Sequence, residues 1–308
     1  MILHIRRSPV GITAIRRIIM RRKLSLILTG ILTATAIAGC GAGQSTDNTQ
    51  AAVQDTDAAQ SSETSADAAG EDHLARIKAA GKITIATEGV WAPFTYHDET
   101  TDELVGFDVE VAAAIAEKLG VEADFKEVAF DGGLTGVTTG TFDMMANGVD
   151  VTDDRKETYD FTEPYAYDHA VVVTLASNDS IKSFDDLNGR TTANSAGSTY
   201  EAMGKEHGAT VSNVDTLGET MTLVLNGTVE ATINANTSAQ DYFNTTGTTE
   251  LKVAAVDPEV TMYAIPLQKG ADNDSLREAI NKAIAELRSE GRLTEISNKY
   301  FGADITAE

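Results

Sequence analysis

Four ionisable residues sit within six positions of the stretch 146–155 (ANGVDVTDDR): Asp150, Asp153, Asp154 and Arg155. A planar guanidinium grips a carboxylate through two parallel hydrogen bonds, which an ammonium cannot do. On residue type alone, Arg155 is either such a group or a solvated helix arginine. Asp153 and Asp154 follow Thr152 at a predicted helix start, where acidic side chains favour the positive end of the dipole. They therefore read as helix-start residues before general acids. The sequence contains no Cys/His metal spacing, phosphate-cradling glycine loop or nucleophile elbow, so no cofactor or metal is expected. His73, His97, His169 and His207 stand singly in the body of the chain and read as surface or internally satisfied histidines.

The elements that must position these residues alternate between short β-branched runs and amphipathic helical patterns, the signature of an α/β fold. Strands are predicted at 82–87 (KITIAT), 121–128, 170–175 (AVVVTL), 230–234 (EATIN) and 262–267. Phe107, Val111, Ile115 and Leu119 recur at helical spacing, with Asp108 in the first turn and Gly120 as the stop. Leu276, Ala279, Ile280, Ala283, Ile284 and Leu287 form a second stripe, capped by Asp274 or Ser275 and ended by Gly291. Both stripes are core faces.

The N-terminal part is built differently. Arg21, Arg22 and Lys23 precede the apolar, small-residue-rich run 24–39 (LSLILTGILTATAIAG), a secretion signal and not a membrane span. Residues 1–19 add four arginines without an assignable role, which makes Met20 the candidate start. Cys40, the only cysteine, ends the run Ile37-Ala38-Gly39-Cys40, which looks like a lipobox whose cysteine becomes diacylated after cleavage. Two acyl chains would hold the protein on a membrane surface. Residues 41–70 are nearly all small or polar and make a flexible tether. The first 39 residues hold seven of the 24 basic and none of the 47 acidic residues, so the chain from Cys40 onward carries a formal charge of −30. So acidic a surface repels phosphate backbones and argues against nucleic acid as a partner. It also suits a monomer.

From 89 to 302 a set of motifs follows in one order: GVWAPF (89–94), LVGFDV (104–109), FDGGL (130–134), the stretch 147–155, YDFTEPY (159–165), GSTY (197–200), GTVEATIN (227–234) and GRLTEISNKYFG (291–302). This set resembles the extracellular solute-binding proteins that feed polar amino acids to ABC importers, over about residues 75–302. The resemblance implies a two-lobed periplasmic-binding-protein-like fold of type II, its α/β lobes joined by a hinge of two crossing strands. Lobe one would comprise 71–167 with 263–308, and lobe two 168–262. The ligand would be trapped by hinge closure in the interlobe cleft.

The resemblance also implies a site. Arg155 matches the family arginine that forks onto the ligand carboxylate. Ser198 and Thr199, at a predicted helix start, would assist from the other lobe. Trp91 and Phe130 match the aromatic walls around the ligand's body, and Gly148 and Thr152 belong to the same ligand-binding stretch. Many relatives place an aspartate for the ammonium where this chain has Ala235, whereas Asp150 stands where threonine is common. An unpaired ammonium in a closed cleft is costly. Asp150 is therefore expected to take over that role, assisted by Asn234 or Asn236.

The expected protein is a membrane lipoprotein, on the extracellular face or the periplasmic side of a diderm, that hands its cargo to an ABC permease. The strand Thr-Ile-Asn-Ala and the segment INKAIAELRSEGRLTEISNKYFG look closest to members that bind cystine or related polar amino acids. Two other classes share the fold. A dehydratase would need an acid or base in the cleft, for which Glu163 and His169 are the candidates. A ligand sensor would need a separate signalling partner, since the six residues after Gly302 add no span or output domain.

Overall fold

The computed structural model describes residues 72–307. The signal-like run, Cys40 and the tether lie outside the described residues. In chain order, α1 (His73–Ala80) leads into β1 (Lys82–Thr87) and a small antiparallel meander of β2 (Val90–Trp91), β3 (Thr95–His97) and β4 (Leu104–Val105). Next come α2 (Phe107–Leu119), β5 (Glu122–Glu127), α3 (Phe130–Thr138), β6 (Met144–Met145), α4 (Asp153–Thr158) and β7 (Tyr159–Phe161). The long strand β8 (Ala166–Leu175) precedes β9 (Thr191–Asn194), α5 (Thr199–Glu206), β10 (Thr210–Asn213), α6 (Leu217–Leu225), β11 (Ala231–Ala235) and α7 (Asn236–Thr246). The chain returns along β12 (Leu251–Tyr263) and finishes with β13 (Pro266–Gln268), α8 (Asp274–Ser289) and α9 (Arg292–Phe301).

Two α/β lobes result. One surrounds the parallel sheet β5-β1-β6, and the other the five-stranded mixed sheet β10-β9-β11-β8-β12. β1 offers Ile83 and Ile85 to the interior, both fully buried, and α2 lays Phe107, Val111, Ile115 and Leu119 on the same core. Gly120 ends α2 with φ +74°, a left-handed turn that glycine makes without a side-chain clash. α8 and α9 pack back on α2, so the C-terminal stripe completes the first lobe. In the second lobe Val171, Val172 and Val173 of β8 are fully buried because the strand is flanked by β11 and β12.

β8 and β12 are the hinge. They pair antiparallel from Leu251 opposite Leu175 to Tyr263 opposite Ala166, with register shifts after Val253 and after Val256. The expected lobe limits at 167/168 and 262/263 fall inside these strands, which belong to both halves. A bridge between Asp150 and Tyr263 ties the end of β12 to the first lobe.

Several expectations are corrected by the structure. The predicted strand 262–267 is two strands: β12 ends at Tyr263, and β13 begins at Pro266 and pairs with β7. β8 starts four residues before the predicted 170, because residues 166–169 pair with 260–263 of β12 at the hinge. α8 is preceded by Asn273, which makes no side-chain capping bond. Asp274 pairs instead with Arg277, and Ser275 donates to Asp72 at 2.6 Å. Among the described residues no helix is long and apolar enough to cross a membrane.

Candidate functional site: the interlobe cleft

A cavity of about 500 Å³, mouth included, lies between the lobes. From the first lobe it is lined by Glu88, Trp91, Phe130, Asn147, Gly148 and Asp150; from the second by residues of β9, α5, α6 and β11, with Ser195, Ser198 and Asp215 in the intervening loops. Its walls stand at the C-terminal ends of the parallel strands β1 and β9, where open α/β sheets receive ligands. Seven of the ten expected binding residues line it: Trp91, Phe130, Gly148, Asp150, Ser198, Thr199 and Asn234.

Direct hydrogen bonds cross the cleft. Trp91 Nε1 donates to Asn234 Oδ1 at 3.1 Å, Arg155 Nη2 donates to the Gly197 carbonyl at 3.1 Å, and Thr199 Oγ1 donates to Asp150 Oδ2. The lobes are therefore in contact. Trp91 stacks on Phe94, with ring centroids 4.2 Å apart and planes 8° from parallel, which fixes the indole against the first lobe. Gly148 adopts φ +53°, and a Cβ there would lie 2.5 Å from Trp91 Cζ3. Glycine at 148 is thus required by both the turn and the indole beside it.

Arg155 is not among the cavity-lining residues. Its guanidinium lies against them, donating through Nη1 to the Asp150 carbonyl at 3.1 Å and sitting 5.4 Å from the Phe130 ring centroid. α4 holds it there: Thr152 caps the helix by accepting from Arg155 N at 3.2 Å, with Asp153 and Asp154 in the first turn as the sequence indicated. Thr152 and Asn236 stand apart from the cavity. The Thr152 hydroxyl is occupied as the cap, and the residue borders a second cleft on the hinge side. Asn236 opens α7 and lines a groove against α9. Ser198 caps α5 by accepting from Glu201 N at 3.1 Å.

The cleft's acidic groups differ from those the sequence put forward. Glu163 is exposed, and the His169 ring lies 2.9 Å from the Asp257 carbonyl at the hinge; neither lines the cavity. The carboxylates that do are Glu88, Asp150 and Asp215. Glu88 was missed although it directly follows β1, the strand end that faces the cleft. Asn147 fastens it, donating Nδ2 to Glu88 Oε2 at 2.6 Å while its Oδ1 accepts from Glu88 N at 2.8 Å. Burial pushes the Glu88 carboxyl up to about 7 against the opposing hydrogen bond from Asn147, with the charges of Asp215 and Asp131 adding in the same upward direction. Asp150 is 8% exposed, and its carboxyl is raised by burial while Arg155 and Thr199 pull it back.

Behind the cavity, Asp108 is 1% exposed and joins its wall to the hinge. It accepts from Gly148 N and, at 2.8 Å, from the hydroxyl of Tyr165, which directly precedes β8. Burial raises its carboxyl to about 7. The arrangement offers a guanidinium, three carboxylates, amides and aromatic walls, a set suited to enclosing a small zwitterion or cation.

The comparisons agree with this fold. The family model for bacterial extracellular solute-binding proteins, family 3, matches residues 83–303. The L-cystine-binding protein TcyA of Bacillus subtilis is 36% identical over 285 residues, covering 92% of this chain and 99% of TcyA. The L-cystine-binding protein TcyJ of Escherichia coli K12 is 32% identical over 77% of this chain and 89% of its own length. Among solved structures, the amino acid ABC transporter substrate-binding protein AbpA of Streptococcus pneumoniae, bound to L-arginine, superposes with a TM-score of 0.68 at 28% identity, covering 76% of this chain and 100% of AbpA. With its fold and nearly its whole described length matched, the chain belongs to the bacterial extracellular solute-binding proteins of family 3.

Proposed function

We propose that this protein captures a polar amino acid bearing a second cationic group, L-cystine in the first instance, between its lobes and delivers it to the permease of an ABC importer. The observation that carries this reading is the set of three carboxylates that line the cavity, Glu88, Asp150 and Asp215, with the Arg155 guanidinium held beside them on the Asp150 carbonyl. Arg155 exchanges its backbone carbonyl partners for the ligand carboxylate, a charge-assisted and bidentate bond. Asp150 takes the α-ammonium, standing in for the carboxylate absent at Ala235. Glu88 and Asp215 face the distal cation, and Trp91 and Phe130 enclose the body between. No chemistry is done on the ligand.

The similarity to proteins named for L-cystine and to a structure bound to L-arginine supports this substrate class. Lipid anchoring through Cys40 completes the reading, with the tether holding the body near its permease; Cys40→Ser would then shift the protein from the membrane to the soluble fraction. The primary test is calorimetric titration of the purified protein with L-cystine, L-arginine and L-glutamine, paired with thermal unfolding. A ligand at 100 times its dissociation constant should add roughly 2.7 kcal/mol of stability. Absence of heat and of any midpoint shift with all three at millimolar concentration would overturn the reading.

A further inference from the structure

Three buried side-chain atoms among the described residues have no hydrogen-bond partner: Thr192 Oγ1, Asn194 Oδ1 and Ser238 Oγ. Of these residues only Asn194 lines the interlobe cavity. It ends β9 and is 1% exposed. Its Nδ2 donates to the Ile233 carbonyl at 2.6 Å and lies 3.4 Å from Thr232 Oγ1, so the neighbouring strand β11 holds one end of the amide. That bond also fixes the amide's orientation, because only nitrogen can donate to a carbonyl. The oxygen is left over.

A buried acceptor without a donor is costly and calls for an explanation. Three donors of the cavity wall are committed elsewhere: Trp91 Nε1 to Asn234, Thr199 Oγ1 to Asp150, and Ser198 Oγ to the Ser195 carbonyl at 2.7 Å. The neighbouring strand β11 puts Asn234 into the cavity wall, its Oδ1 already accepting from Trp91, and ends on Ala235, which has no polar side chain. We propose that Asn194 Oδ1 accepts a hydrogen bond from an N–H of the bound amino acid and is the second lobe's acceptor for its cationic nitrogen. This rests on the amino-acid reading and adds to Asp150 a neutral partner from the opposite lobe. Closure then completes the nitrogen's coordination, because one acceptor comes from each lobe.

The test compares the parent with Asn194→Leu and Asn194→Asp by calorimetric titration with L-cystine, L-arginine and L-glutamine, after circular dichroism and thermal melts confirm folding. Asn194→Leu removes the acceptor at similar size and should weaken binding roughly ten- to a hundred-fold. Asn194→Asp keeps an oxygen acceptor but loses the donor to Ile233, and should retain most of the parent affinity. A loss seen also with L-glutamine, whose one ammonium is the α-amino group, assigns the bond to the α-ammonium. A loss confined to L-cystine and L-arginine assigns it to the distal cation. Parent-like binding by Asn194→Leu overturns the proposal, as does an equal loss in both variants, which would make the Ile233 bond the feature that matters. A parent that binds none of the three ligands would instead defeat the amino-acid reading itself.

Discussion

Trp91 Nε1 and Asn234 Oδ1 meet at 3.1 Å across the cleft, joining the lobe of β1 to the lobe of β11. Trp91 is the only tryptophan of the chain, so its emission reports on this one contact. Replacing Asn234 by Leu leaves the indole N–H without its partner and weakens the closed arrangement by about 1 kcal/mol. Ligand affinity should fall roughly five-fold, and the emission spectrum of the ligand-free protein should shift relative to the parent. Identical spectra would show that the two lobes do not hold this contact in solution.

Arg155 touches both lobes, through the Asp150 and Gly197 carbonyls. Truncation to Ala should cost about 2–5 kcal/mol of binding, or roughly 30-fold to several thousand-fold. Arg155→Lys keeps the charge but not the planar fork and should recover only a small part of the loss. Titration of both variants with L-arginine and L-cystine decides this; a loss below three-fold for the alanine variant would remove Arg155 from the site.

The elements that carry the candidate site were legible where they are set locally, while its residues were expected from the resemblance. β1 was read to the residue from its β-branched pattern, α2 from its apolar spacing and Gly120, the start of α4 from Thr152 before two aspartates, and α5 was expected to start at Ser198 and Thr199. The failures share a long-range cause. β12 and β13 were merged because Tyr263 and Pro266 are close in sequence, yet the two strands pair with different partners; proline fits at a strand's first position, where its missing N–H matters least. Asn236 lies two residues beyond Asn234, but the chain has turned into α7 by then and carries it to another face. Glu88 has no local signature: its environment is made by Asn147, Phe130 and Asp215, from three distant parts of the chain.

Glu88 should make binding depend on pH. Its carboxyl, raised by burial to about 7, is largely protonated at pH 6 and largely ionised at pH 8. A cationic group beside it favours the ionised form, so affinity for L-arginine, whose guanidinium stays charged, should rise roughly tenfold between pH 6 and pH 8. Glu88→Gln should abolish most of that rise. Equal pH profiles for parent and variant would place the distal cation elsewhere.

Asp108 gives the fold its own pH dependence. It was read as an acidic first-turn residue of α2, but its carboxyl is buried between Gly148 N and the Tyr165 hydroxyl and raised from 3.8 to about 7. Between those values the folded protein keeps a proton that the unfolded chain has released, so stability falls as pH rises through this window and levels off above it. Each pH unit in the window is worth about 1.4 kcal/mol for one such group. Glu88 acts with the same sign, and so does His73, raised chiefly by its hydrogen bond to Asp143, whose contribution is full below 6.5 and lost at higher pH. Asp108→Asn cannot ionise and retains an oxygen to accept from Gly148 N. Urea unfolding of the ligand-free protein at pH 5 and pH 7 should therefore show a clear stability loss in the parent and a markedly smaller one in Asp108→Asn. An undiminished loss in the variant would mean that the Asp108 carboxyl ionises in the folded protein as freely as in the unfolded chain.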